Sequence, residues 1–136
     1  MLLQMLNRKE KLKFLDLALH LVSIDGEPSN FEGRILMMML AEIGDEVASE
    51  YTFTLSDDYE KTISFFEESP VTVRNIVFLN ISKLPLFDDL YNTKQHFFLE
   101  EIRTRFGITD AKKKQLMRLV YDERDLNEKI RRAVNS

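Results

Sequence analysis

Apolar residues recur three and four positions apart along most of the chain, the spacing of amphipathic helices. The first such run follows Asn7. Leu12, Leu15, Leu19 and Val22 form one stripe, and Phe14, Leu17, Ala18 and Leu21 widen it until only Asp16, His20 and Ser23 look polar. A helix apolar nearly all round is expected at the centre of a fold. Asn7 followed by Glu10 is a capping box, so this helix is predicted to start there and to run to about Ile24.

Asp25-Gly26-Glu27-Pro28 breaks the pattern. Ser29 with Glu32 caps a second helix, with Phe31, Ile35, Met38, Met39 and Ile43 as its buried stripe and Gly44 as its stop. Asp45 to Leu55 reads as polar and irregular, with room for one helical turn. Ser56 caps a third helix carrying Tyr59, Ile63 and Phe66. Ser69-Pro70 restarts the chain as N-cap and first helical residue. Val73, Ile76, Val77 and Leu84 follow at helical spacing, and Pro85 is predicted to end the run. Asn92 and Gln95 form another capping box before Phe98, Leu99, Ile102 and Phe106, with Gly107 as the stop. Thr109 caps a helix with Leu116, Leu119 and Val120 inside. Asp125 and Glu128 are predicted to cap a last short helix through Ile130 and Val134.

A shift of 63 residues lays the chain on itself without a gap. Leu21 falls on Leu84, Asp25 on Asp88, Leu36 on Leu99 and Gly44 on Gly107. Ser29 falls on Asn92 and Glu32 on Gln95, so the capping boxes coincide. The expectation is an all-α fold: one compact domain over residues 1–136 with about six to seven helices. It is built from two helical hairpins, at about 12–44 and 75–107, related by approximate twofold symmetry.

Composition narrows the function. The 136 residues are 44% hydrophobic and 31% charged, an ordinary globular balance with enough length for a core. There is no Cys and there are only two His. Disulfides, thiolate zinc sites, cysteine catalysis and His-rich metal sites are therefore excluded. Charge is uneven: ten acids and one base lie between Asp25 and Glu60, and ten bases and five acids between Arg103 and Ser136. Nucleic acid is not an expected partner, because Lys112-Lys113-Lys114 lacks interleaved aromatics and the net charge is -4. No apolar stretch is long enough for a membrane span, and Met1 to Leu6 lacks the flanks of a secretion signal. A cytoplasmic protein is expected. Arg8, Lys9, Lys11 and Lys13 leave room for peripheral membrane association, beside the simpler reading of a docked first helix.

The stretch Ile24-Asp25-Gly26-Glu27-Pro28-Ser29-Asn30-Phe31-Glu32 resembles the TerB-like family of tellurite-resistance proteins, whose pattern also occurs in the N-terminal domain of the DnaJ-like co-chaperone DjlA. The resemblance runs from about Lys11 to Val120. In the second half Asp88 fits the family pattern, while Asp89 replaces its Gly and Gln95 its Glu. The resemblance implies a divalent-cation site, for Ca²⁺ or a similar hard cation, formed by Asp25, Glu27, Glu32, Asp88 and Asp89. Such cations take several oxygen ligands. Gln95 would add a carbonyl oxygen but remove one charge. The same residues have a purely structural reading: Asp25 and Gly26 as a turn, Glu32 as a cap, Glu27 solvated. The loop is not an EF-hand, since Asn30 and Leu36 stand where that motif needs Gly and Glu.

Remaining candidates each carry two readings. His20 either approaches the acidic loop or is a packed or surface histidine. Met37-Met38-Met39 either fills core or makes an adaptable contact surface. Tyr51, Phe53, Phe65 and Tyr91 would mark a partner site if contiguous. The function expected is a small non-catalytic binding or regulatory module. It engages a protein partner, responds to a cation, and by resemblance is linked to bacterial stress or tellurite resistance. The alternatives are an accessory interaction protein without an ion site and a metal-dependent hydrolase. The hydrolase is disfavoured by the lack of a His-containing metal motif, a phosphate loop or a nucleophile elbow.

Overall fold

A computed structural model describes residues 2–24, 26, 30–53, 58–86 and 92–136, apart from the side chains of 30–32 and 86. Among these residues all regular structure is helical. A 3-10 turn covers Leu3–Met5. The helices are α1 (Arg8–Val22), α2 (Asn30–Ile43), α3 (Asp45–Ala48), α4 (Tyr59–Glu67), α5 (Val71–Leu86), α6 (Thr93–Arg105) and α7 (Asp110–Asn135).

Local chemistry accounts for their ends. The Asn7 side chain accepts the Glu10 N–H at 2.8 Å, and the Asn7 N–H donates to Glu10 Oε1 at 2.8 Å. Asn92 and Gln95 repeat this box at 2.9 and 3.4 Å. Each box satisfies two backbone donors that a helix start leaves open. Thr109 caps α7 by accepting from the Lys112 N–H at 3.1 Å. Asp58 caps α4, accepting from Lys61 at 3.3 Å, and Ser56 lies outside the described residues. The Ser69 hydroxyl donates back to the Phe65 carbonyl at the end of α4, at 3.2 Å. Gly44 and Gly107 take φ of 106° and 69°, which a residue with a Cβ resists, and so end α2 and α6.

The core gathers around α1 and α5, which pack on each other along their length. α1 contributes Phe14, Leu15, Leu17, Ala18, Leu21 and Val22; α5 is buried without a break from Ile76 to Pro85. The most central helix is thus α5 rather than the first one. Its burial includes Asn80, Ser82 and Lys83, polar residues that hide its place from a hydropathy reading. Asn80 satisfies itself by donating to the Ile76 carbonyl one turn back, at 2.8 Å. α4 and α6 cover α1 on one side with Ile63, Phe66, Phe98 and Ile102. α2 covers both central helices with Met39 and Ile43.

Three predicted boundaries move. Pro70 rather than Ser69 stands just before α5, its carbonyl accepting the Arg74 N–H at 3.1 Å. Pro85 sits inside the last turn of α5, which closes one residue later. The helix predicted from Thr109 and the short one predicted from Asp125 are one continuous α7 of 26 residues. No Gly or Pro follows Gly107, so nothing stops that helix. α5 and α6 begin 63 residues after α1 and α2, at Val71 and Thr93, and end within one residue of the same offset.

Candidate functional site: a methionine-walled groove

At 1.5 Å per residue α7 is about 39 Å long, longer than the core it packs on. Its first half is anchored by Leu116 and Val120 against α5. From Tyr121 onward it projects past the core, and only Glu123 and Glu128 are half-buried there. Between this projecting half, α2 and the N-terminal turn lies an open groove of about 1070 Å³.

Each wall follows from sequence spacing. On α2, Ile35, Met38, Met39 and Glu42 recur at intervals of three and four and share a face. Met39 is buried and forms the floor, whereas Met38 is 63% exposed on the rim. Met37, next to it, is exposed as well. The methionine run thus splits between its two readings: one fills core and two face solvent. On α7, Glu123, Asn127 and Arg131 recur every four residues along the opposite wall. The N-terminal turn supplies Leu2, and the Leu3 N–H donates to Glu42 Oε1 at 2.8 Å, which ties the turn to α2.

At the base of the groove Lys83 of α5 is buried and pairs with Glu123, Nζ to Oε2 at 3.0 Å. A buried ammonium without a partner would be strongly unfavourable, so this pair sets where α7 crosses α5. Along the rim Arg34, Arg124 and Arg131 alternate with Asp125 and Glu128. A floor shared by Ile35, Met39 and the neutralised Lys83–Glu123 pair, under a rim of both signs, suits an amphipathic segment better than a single small anion or cation.

No protein-family model, curated protein or solved structure matches the chain. The site must therefore be read from its own residues.

Of the expected cation ligands, Asp25, Glu27, Asp88 and Asp89 lie outside the described residues. Glu32 lies in the first turn of α2, with its side chain outside the description. Among the described residues no group of three or more His, Asp or Glu is arranged to hold a metal ion. Gly26 has φ of 116°, the positive value a tight turn uses. Gln95 is buried, and its side-chain oxygen accepts the Asn92 N–H.

His20 is half-buried between two rings, 4.3 Å from Tyr59 and 4.7 Å from Phe98 by centroid. Burial pushes its pKa below the ordinary 6.5. The aromatic residues serve different ends. The Tyr51 hydroxyl donates to Asp16 at 2.8 Å. Burial first, then that bond, holds the phenol well above its usual range. Phe53 lies edge-on to Tyr51 and is exposed. Phe65 lies under Lys9, and Tyr91 is outside the described residues. Lys113 pairs with Glu100, and Lys112 with Gln115. Among the described residues no helix is long and apolar enough to cross a membrane.

The wall formed by the second half of α7 was missed by the sequence reading. Its signal was present as Leu116, Val120, Glu123, Asn127 and Arg131, a three-four spacing that runs unbroken past Asp125.

Proposed function

We propose that this chain is a small non-catalytic binding module whose groove between α2 and α7 takes an amphipathic helical segment of a protein partner. The observation that carries the reading is the exposed Met38 beside the buried Met39, framed by charges of both signs. Methionine is unbranched, flexible and polarisable and so adapts to varied side chains, which suits a contact surface. The probe is a phage-displayed library of 16-residue helical peptides. Enriched peptides should carry apolar residues at i, i+4 and i+7, and should lose binding about tenfold or more to Met38→Lys, the loss of one well-placed apolar contact. Phe97→Lys, at an exposed position on α6 outside the groove, should leave binding unchanged. Enrichment insensitive to Met38→Lys would overturn the reading.

The finer reading is a TerB-like arrangement of two hairpins, with a cation bound by Asp25, Glu27, Glu32, Asp88 and Asp89. The common offset of helix ends supports the two hairpins. So does the exchange of contacts, since α1 meets both α2 and α6 while α5 meets both α6 and α2. The acidic loops would then make partner binding cation-sensitive, in a cytoplasmic stress or tellurite-resistance role. Melting with chelator, Ca²⁺, Mg²⁺, Mn²⁺ or Zn²⁺, beside Asp25→Ala, tests this. A ligand bound only to the native state at a hundred times its Kd adds about 2.7 kcal/mol. If no ion shifts the melt, the module is an accessory interaction protein without an ion site.

A further inference from the structure

Beside the face of α7 that lines the groove, a second stripe of the helix is uncovered. At 100° per residue Leu119, Leu126, Ile130 and Val134 fall within about 80° of one another, a quarter turn from the buried Val120. Leu126 is 56% exposed and Ile130 51% exposed. The stripe spans 16 residues, Leu119 to Val134, about 22 Å of helix.

Its flank carries two charges, Asp122 and Lys129, one heptad apart. Both are exposed, and neither forms an ion pair among the described residues. Their neighbours Glu123, Arg124, Glu128 and Arg131 all do. In heptad terms Leu119 and Leu126 occupy d, Glu123 and Ile130 occupy a, and Asp122 and Lys129 both occupy g.

The geometry points to a second copy of this chain as the occupant, packed antiparallel along α7. In an antiparallel pair an a residue layers against d, and g faces g. Setting Leu119 against Ile130 of the second copy then brings Asp122 opposite Lys129 of that copy, and by the twofold axis Lys129 opposite its Asp122. One register thus layers Leu119 on Ile130 of the second copy at both ends, Leu126 over Glu123 in the middle, and matches both flanking charges. A parallel pair would set g against e, placing Asp122 by Asn127 and Lys129 by Val134, with no charge matched. The arrangement is self-complementary, as an isologous dimer requires. The seam adjoins the groove at Glu123, which lines the groove. Leu126 belongs to the stripe and Met38 to the groove, so substitutions at these two positions tell the dimer and the groove reading apart.

Sedimentation equilibrium from 10 to 500 µM tests it, with circular dichroism to verify that each variant is folded. The wild type should dimerise reversibly, and Leu126→Glu should be monomeric throughout. Asp122→Lys or Lys129→Asp alone should weaken dimerisation about fivefold or more, because symmetry counts each like-charge contact twice. The double variant should return to within about threefold of wild type, the signature of direct pairing in a mutant cycle. A wild type monomeric at 500 µM would overturn the inference, as would a double variant no better than the singles. A dimer abolished by Met38→Lys but not by Leu126→Glu would also overturn it.

Discussion

His20 offers the sharpest test of the packing, because its ring is both a structural element and a titrating group. It stacks on Tyr59 at 4.3 Å and lies against Phe98 at 4.7 Å, joining α1 to α4 and α6. Two such ring contacts are worth about 0.5–1.5 kcal/mol each, so His20→Ala should cost about 1–3 kcal/mol. For a chain of this size that is roughly 4 °C of melting temperature per kcal/mol, or about 4–12 °C. His20→Phe should retain most of the stability. The sign with pH follows from burial. The folded pKa lies below the unfolded 6.5, so the unfolded chain binds the proton first as pH falls. Stability is complete above about pH 6.5 and declines as pH drops toward the folded value. Urea unfolding at pH 8, 6 and 5 should show this decline in the wild type and a flatter profile in His20→Phe. Equal acid loss in both proteins, or a wild type that gains stability on acidification, would refute the reasoning.

Other substitutions test the rest of the fold. Leu21→Ala and Leu84→Ala remove fully buried side chains from the two central helices, and each should lose about 2–5 kcal/mol in urea unfolding. Asn92→Ala opens the capping box of α6 and should cost about 1 kcal/mol, while Asn92→Asp should cost much less. Arg105 pairs with Glu60 and Glu67 of α4 from α6. Arg105→Met should cost about 1 kcal/mol at low salt and less in 0.5 M salt, where repulsion among the carboxylates left behind is screened. The same variant should lose less at pH 4 than at pH 7, since Glu101 beside this cluster is held above the usual carboxylate range by burial and then by its bond to Glu60.

How much was readable in advance differs by element. The ends of α1 and α6 were legible because capping is local: Asn7 with Glu10 and Asn92 with Gln95 each settle their own backbone donors. The glycine stops at Gly44 and Gly107 were legible for the same reason. The central place of α5 was not, because Asn80, Ser82 and Lys83 interrupt its hydropathy and yet are buried in the fold. Lys83 is the clearest case, since its partner Glu123 lies 40 residues away on α7. The groove depends on that same pairing and on a helix that outruns the core. Asp125 and Glu128 resemble a cap, yet nothing before them breaks the helix. The acidic loops were legible only as a pattern of residues, and they lie outside the described part of the structure.

The groove is the central claim, and the chain carries its own reporters. Its methionines include Met38 on the groove rim, Met39 in the floor, and Met5 and Met117, neither of which lines the groove. A spectrum of methyl-labelled methionine, recorded while a selected helical peptide is titrated in, tests the claim directly. The Met38 and Met39 signals should shift with a common saturating curve while Met5 and Met117 stay in place. Shifts confined to Met5 and Met117, with Met38 unmoved at saturation, would contradict it.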